Sequence, residues 1–187
     1  MAYMSDDEVR SLGFRHVGRG VRISTRAAIY DADRISIGDH SRIDDFTVLA
    51  GAIDIGRNVH VTVFCNLAGG RAGVSIGDFC TFAYGCHLIA QTDDYTGATM
   101  TNSTLPLEYR SAITAPVVLD RHVILGTGTV VLPGVTLGEG TASGARTLFL
   151  ESSEPWTIYV GQPARAIRER SRALLDLERR YLASDGG

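Results

Sequence analysis

Residues 117–140 read VVLDRHVILGTGTVVLPGVTLGEG, and their spacing decides the fold. Leu119, Leu125, Val131 and Leu137 recur every six residues, and each is followed four residues later by a small or β-branched side chain: Val123, Thr129, Val135 and Thr141. A period of six matches neither the 3.6 of a helix nor the simple alternation of a strand, so it marks an internal repeat. The same phase runs outward through Ile37, Ile43, Leu49, Ile55, Val61, Leu67, Ile76, Phe82 and Leu88 on one side and Ser143 and Phe149 on the other. Three hexads make one triangular coil of 18 residues, and stacked coils bury a continuous column. The pattern predicts an all-β solenoid, a parallel β-helix of about five coils resting on one another at the ~4.8 Å spacing of neighbouring strands. A β-sandwich holds no such fixed phase.

At 187 residues the chain has the length of one domain, and its net charge of −3 supplies no basic footprint for nucleic acid. No apolar run approaches the ~18 residues of a membrane span, and the acidic start MAYMSDDEVR carries no export signal, so the expected location is cytoplasmic. Cys65, Cys80 and Cys86 fall on inward hexad positions and read as small buried hydrophobes rather than as a disulfide set.

A single domain is expected, in three parts. Residues 1–34 hold a short helix, signalled by the Ser5–Glu8 capping box, and a ragged first coil. Residues 35–150 are the repeat, with a three-residue expansion at 68–73 (AGGRAG) and a polar, Thr-rich loop at 92–116 that must project from the column. In residues 151–187, Ile167, Leu174, Leu177 and Tyr181 fall on one stripe of a predicted capping α-helix over 163–182 that covers the last coil.

The hexads, the projecting loop, the run at 117–140 and YVGQPARAIRER at 159–170 together resemble the hexapeptide-repeat acyltransferases. The likeness is to the sugar acetyltransferase branch related to the maltose and galactoside O-acetyltransferases and to polysaccharide-modifying enzymes. It implies a left-handed coil, a homotrimer with sites in the clefts between prisms, acetyl-CoA as acyl donor and no metal. The family's donor site falls on Thr127, Ala145, Arg165 and Arg168, with Gly126 allowing close approach of a pantetheine arm. The plain alternative is that Arg165 and Arg168 form the solvated face of the last helix. Where many relatives carry a Thr-Lys pair, this chain reads Phe149-Leu150-Glu151.

At the acceptor end the resemblance is to a branch with the signature Thr92-Asp93-Asp94-Tyr95, which puts Tyr95 against the substrate. Counted from Leu88, the family's catalytic His position is Asp93. Asn66 matches an acceptor-touching Asn, and His87, 21 residues on, should stack beside it. Three arrangements remain open: Asp93, with or without Asp94, serves the acceptor; His87 is the base and an Asp orients it; or an amine nucleophile needs no protein base. His40 and His122 read as turn residues. His60 ends a hexad on another corner, His16 precedes the regular coils, and no three imidazoles suggest a zinc site. The expected function is O-acetylation of a sugar hydroxyl in surface polysaccharide or glycoconjugate synthesis. The alternatives are N-acylation of a nucleotide-linked amino sugar and a trimeric scaffold without turnover. The expected partners are a sugar or nucleotide-sugar acceptor and two further copies of the chain.

Overall fold

A computed structural model describes residues 2–184. The chain forms a left-handed parallel β-helix of about seven turns. On one face His16, Ser36, Asp54, Ser75, Val118 and Thr136 pair in succession, and Leu137 bridges to Ser153 in the last turn. All 15 predicted leads are buried, Ser143 being the most accessible at 9%. The lighter partners at the fourth following position are buried too, among them Ser41, Thr47, Cys65, Cys80, Cys86 and Thr129. Each fully enclosed Leu, Ile or Phe contributes roughly 1.5–3 kcal/mol relative to exposure. Inward hydroxyls are satisfied locally: Ser41 Oγ donates to the Gly56 carbonyl and Thr47 Oγ1 to that of Thr62.

Most corners fall on the fourth residue of a hexad, in the left-handed region. His40, Asn58 and His122 do this with φ of 60°, 54° and 62°, as turn residues should. Phe46, Phe64, Phe79 and Trp156 adopt the same conformation, which sequence propensity does not predict for aromatic residues. Neighbouring corners hold them: Phe46 and Phe64 stack at 5.2 Å with planes 8° apart.

The first coil pairs with the column along two faces but is irregular in length. Arg22 pairs with Arg42 and Ala28 with Val48, whereas one coil later Arg42 pairs with His60. The first coil is thus longer than the regular repeat, and this hides it from a six-residue scan. The capping box is present: Ser5 and Glu8 exchange hydrogen bonds at the start of α1 (Asp6–Ser11), which buries Val9 against the first coil.

The loop projects as expected, on an antiparallel stem of Gln91–Asp93 and Ala112–Thr114 that leaves the column after the buried Ala90, but the C-terminal expectation needs correction. The predicted helix over 163–182 is confined to α2 (Leu174–Ser184), because Arg165–Glu169 instead pairs antiparallel with Thr157–Val160, an edge that would otherwise lie open. The end of the column is therefore closed by this hairpin and by the segment around Gly161, whose carbonyl accepts from Leu148 N–H. Meanwhile α2 lies along the side of the prism, where Asn58 Nδ2 donates to Tyr181 Oη at 3.0 Å and Glu178 meets His122.

Candidate functional site

One face of the prism runs between two unlike corners. Its first outward column is Val48, Asn66, His87, Val130 and Leu148, set by parallel pairing of successive coils. Asn66 and His87 are thus direct neighbours, as the three-residue expansion requires. Both are half-buried, and no hydrogen bond engages the His87 ring among the described residues. The next outward positions along the lower coils are Ala50 and Ala68, whose small side chains leave the face open.

The corner before this face carries the predicted donor residues. Gly85 N–H donates to Val63 O, Gly128 N–H to Tyr84 O and Arg146 N–H to Thr127 O, so Tyr84, Thr127 and Ala145 occupy successive levels. Thr127 and Ala145 are exposed. A methyl group on Gly126 would lie 2.6 Å from the carbonyl carbon of Gly144, so glycine is needed for the coils themselves to approach there. Arg165 and Arg168 lie above on the exposed strand Arg165–Glu169, a strand and not a helix face. Arg165 lines a cleft of about 160 Å³ with Glu151, Tyr159 and Pro163, so a carboxylate and a guanidinium share this cleft.

The corner after the face carries the projecting stem. Gln91, Asp93, Tyr95, Asn102, Ser103 and Arg110 line a polar cavity of about 480 Å³. The hexad count that ended on Asp93 does not hold: Ser75, the sixth-position residue one coil below, pairs with Val118, because the chain leaves the column at Ala90 and rejoins it at Val117. Asp93 is instead on the stem, where its backbone pairs with Ala112. Among the described residues no hydrogen bond or ion pair engages its carboxylate.

Asp94 is differently occupied. Its Oδ1 accepts from Thr96 N–H at 2.7 Å and Thr96 Oγ1 at 2.6 Å, and its Oδ2 accepts from Thr99 N–H at 2.9 Å and Thr99 Oγ1 at 3.0 Å. The Thr96 hydroxyl and amide, followed by those of Thr99, hold this carboxyl down to about 2. Tyr95 between the stem and this turn is 87% exposed.

No family model matches the sequence. Over 181 residues, covering 95% of this chain and 94% of the relative, the sequence is 39% identical to dTDP-4-amino-4,6-dideoxy-D-glucose acyltransferase of Escherichia coli. The chain belongs to the hexapeptide-repeat acyltransferases. This acyltransferase also resembles the N-acyltransferase AntD of Bacillus cereus, solved with dTDP and 3-hydroxybutyryl-CoA: TM-score 0.96, 38% identity, 99% of this chain and 98% of that one. A variant of AntD solved with dTDP-4-amino-4,6-dideoxyglucose and coenzyme A matches at TM-score 0.95 and 38% identity, with 97% of each chain covered.

Within the acyltransferase, the predicted residues fall into four places rather than one. Thr127, Gly126 and Ala145 share a corner, Asn66 and His87 the adjoining face, Asp93, Asp94 and Tyr95 the stem and loop beyond it, and Arg165 and Arg168 the exposed strand at the end of the column. Sequence reasoning missed Gln91 and Arg110 as cavity residues. The only available signal was that each carries a polar group within or beside the phase break. Two of the remaining histidines are tied to structure: His60 Nε2 lies 2.9 Å from the buried Asp44, and His122 stacks on Phe79. No cluster among the described residues could hold a metal ion, and no described helix is long and apolar enough to cross a membrane.

Proposed function

We propose that this acyltransferase moves an acyl group from acyl-coenzyme A to the amino group of a dTDP-linked 4-amino-4,6-dideoxyhexose. The observation that carries this reading is near-full-length similarity to proteins whose names specify that chemistry. It replaces O-acetylation of a polysaccharide hydroxyl as the leading expectation. The match to the putative colanic acid acetyltransferase WcaF of Escherichia coli covers only 55 residues, or 29% of this chain.

The chemistry of an amine suits the acceptor corner. The nitrogen lone pair attacks the thioester carbonyl carbon, the C–S bond breaks, and the proton shed by nitrogen is carried in the end by the departing thiol. An amine needs less help than a hydroxyl, because it is a competent nucleophile once neutral. Asp93, whose carboxylate has no partner among the described residues, is the group we assign to hold and orient the amine. Asp94 shapes the loop that carries Tyr95, and His87 with Asn66 faces the sugar. Thr127 and Ala145 border the pantetheine arm, and Arg165 and Arg168 take the nucleotide phosphates of coenzyme A. A homotrimer completes the clefts, a second prism closing the open side of the face.

Mixing purified protein with acetyl-CoA and dTDP-4-amino-4,6-dideoxyglucose should release free thiol, detected by a thiol-reactive dye, and give an amide product. Thiol release with hydroxyl sugars but not with the amine would overturn the reading. Light scattering should return three times the chain mass; a monomer at micromolar concentration would remove the trimer.

A further inference from the structure

Resting on that reading, we infer that Arg34 and Arg71 form the subsite that binds the diphosphate of the nucleotide-linked acceptor. The two arginines arise from two separate enlargements of one corner. The first coil is longer than the regular repeat and uses the surplus for the turn Ala32–Arg34, between Ile29, which pairs with Leu49, and Ile35, which pairs with Ile53. Two coils later comes the second enlargement, and its surplus lies in the strand Asn66–Ile76, where the register shifts on either side of the Gly51–Gly70 pair. Arg34 and Arg71 thereby line the same depression, of about 380 Å³, together with Ala50, Ala68 and Gln91.

Three features leave this depression open to an anion. Neither Arg34 nor Arg71 has a carboxylate partner among the described residues, a state they share with Arg22, Arg110, Arg165 and Arg168, whereas Arg15, Arg19, Arg26, Arg42, Arg121 and Arg179 are paired. Asp31, the one acid that lines the depression, directs its Oδ2 to Gly51 N–H at 3.0 Å. The floor is bare: Gly51 and Gly70 stack backbone on backbone, and a methyl group on Gly51 would lie 2.6 Å from the Gly70 carbonyl oxygen. Two guanidinium groups above a floor of small residues suit a polyanion with several non-bridging oxygens, and guanidinium matches phosphate in a two-bond geometry.

Gln91 gives the depression its direction. It lines both this depression and the 480 Å³ cavity that contains Asp93. Gln91 and Asp93 are two apart on one strand, so their side chains leave the same face about 7 Å from each other. A diphosphate held by Arg34 and Arg71 would leave the attached hexose lying over Gln91, with its far ring carbon toward Asp93. That spacing fits an amine across the ring from the phosphate-bearing carbon, as in a 4-amino sugar. A diphosphate also occurs in coenzyme A, but Thr127 and Ala145 lie across the face on the opposite corner.

The test is calorimetric titration of dTDP and, separately, coenzyme A into the intact protein and into the variants Arg34→Ala, Arg71→Ala and the double variant. Arg19→Ala, an exposed arginine on another corner, is the control. We expect dTDP affinity to fall about tenfold or more in each single variant, with coenzyme A affinity and melting temperature unchanged. Weakened coenzyme A with unchanged dTDP would assign the arginines to the donor, and no change for either ligand would return them to solvent; both outcomes overturn the subsite. Should the wild type bind dTDP in an arginine-dependent way yet acylate no amino sugar, the subsite stands and the proposed reaction falls. If it acylates the sugar with an unchanged Michaelis constant in all three variants, the reaction stands and the subsite falls.

Discussion

His122 Nε2 and Glu178 Oε2 lie 3.0 Å apart, with their side chains only 6% and 8% exposed, and this contact fastens α2 to the side of the prism. Arg121 holds the other carboxylate oxygen of Glu178, while Arg170 donates to the carbonyls of His122 and Gly140. A buried carboxylate is tolerated here because both oxygens are bonded to donors.

Glu178→Ala should therefore loosen α2 more than its size suggests. Removing one partner of a buried pair costs ~3 kcal/mol, the low end of such effects, since Arg121 remains half in water and can rehydrate. Limited proteolysis should release the segment beyond residue 173 from the variant first, while the strands of the column stay protected. Equal protease resistance in both proteins would show that the contact does not hold the helix.

Asp94 should titrate near pH 2, well below the 3.8 of an ordinary aspartate. A carboxyl depressed in the folded state contributes stability above its unfolded value, and that contribution is lost as pH falls through the folded value. The turn at Thr96 and Thr99 should accordingly survive from neutrality past pH 3.8 and open only as pH nears 2. Carbon-13 NMR of the aspartate carboxyls reads this midpoint directly. Asp94→Ala removes that contribution, so it should lower the melting temperature modestly at neutral pH, with the difference from wild type vanishing as pH nears 2, and raise the Michaelis constant for the acceptor.

Asp93→Asn should lower turnover of the amine acceptor by roughly 10²–10³-fold, with the Michaelis constant for acyl-CoA preserved. His87→Ala should cost less than about tenfold, within the range of a lost positioning contact. The reverse order in steady-state rates between pH 6 and 9 would transfer the role to His87.

Arg165→Ala and Arg168→Ala should each weaken coenzyme A binding by ~1.5–3 kcal/mol, the usual worth of a hydrogen bond to a charged group. Both side chains stand on an exposed strand, so melting temperatures should not move. Unchanged affinity in fluorescence titrations of both variants would leave them as solvated surface.

The column was legible because each inward position repeats one physical demand, an apolar or small side chain every six residues, and Ile37 through Phe149 all meet it. The neighbouring places of Asn66 and His87 followed from the same count once the expansion at 68–73 was allowed for. Asp93 was misplaced because counting assumes that the chain completes its hexad, and it departs after Ala90. The alternation Arg165, Ile167, Glu169 suits an edge strand as well as the start of a helix, so the pairing partner decided the matter. Asp94 and Asp93 are adjacent and chemically identical in sequence; only the hydroxyls of Thr96 and Thr99, brought back by the turn, tell them apart.

The stem that lifts Asp93 off the column also divides the molecule along its length. Elsewhere a strand of the column meets its successor after a single coil, but between His87 and its partner Val130 the chain must also make the whole excursion through the projecting loop. Closing that longer path costs about 0.8 kcal/mol more than closing an ordinary coil, and near-neighbour coupling gives the column few other long-range ties across the gap. The prism should assemble as a lower and an upper block that zip together last at this seam. Hydrogen exchange should find its amides opening together while those within each block remain shut. The proposed acceptor corner and the weakest joint of the protein would then be the same place.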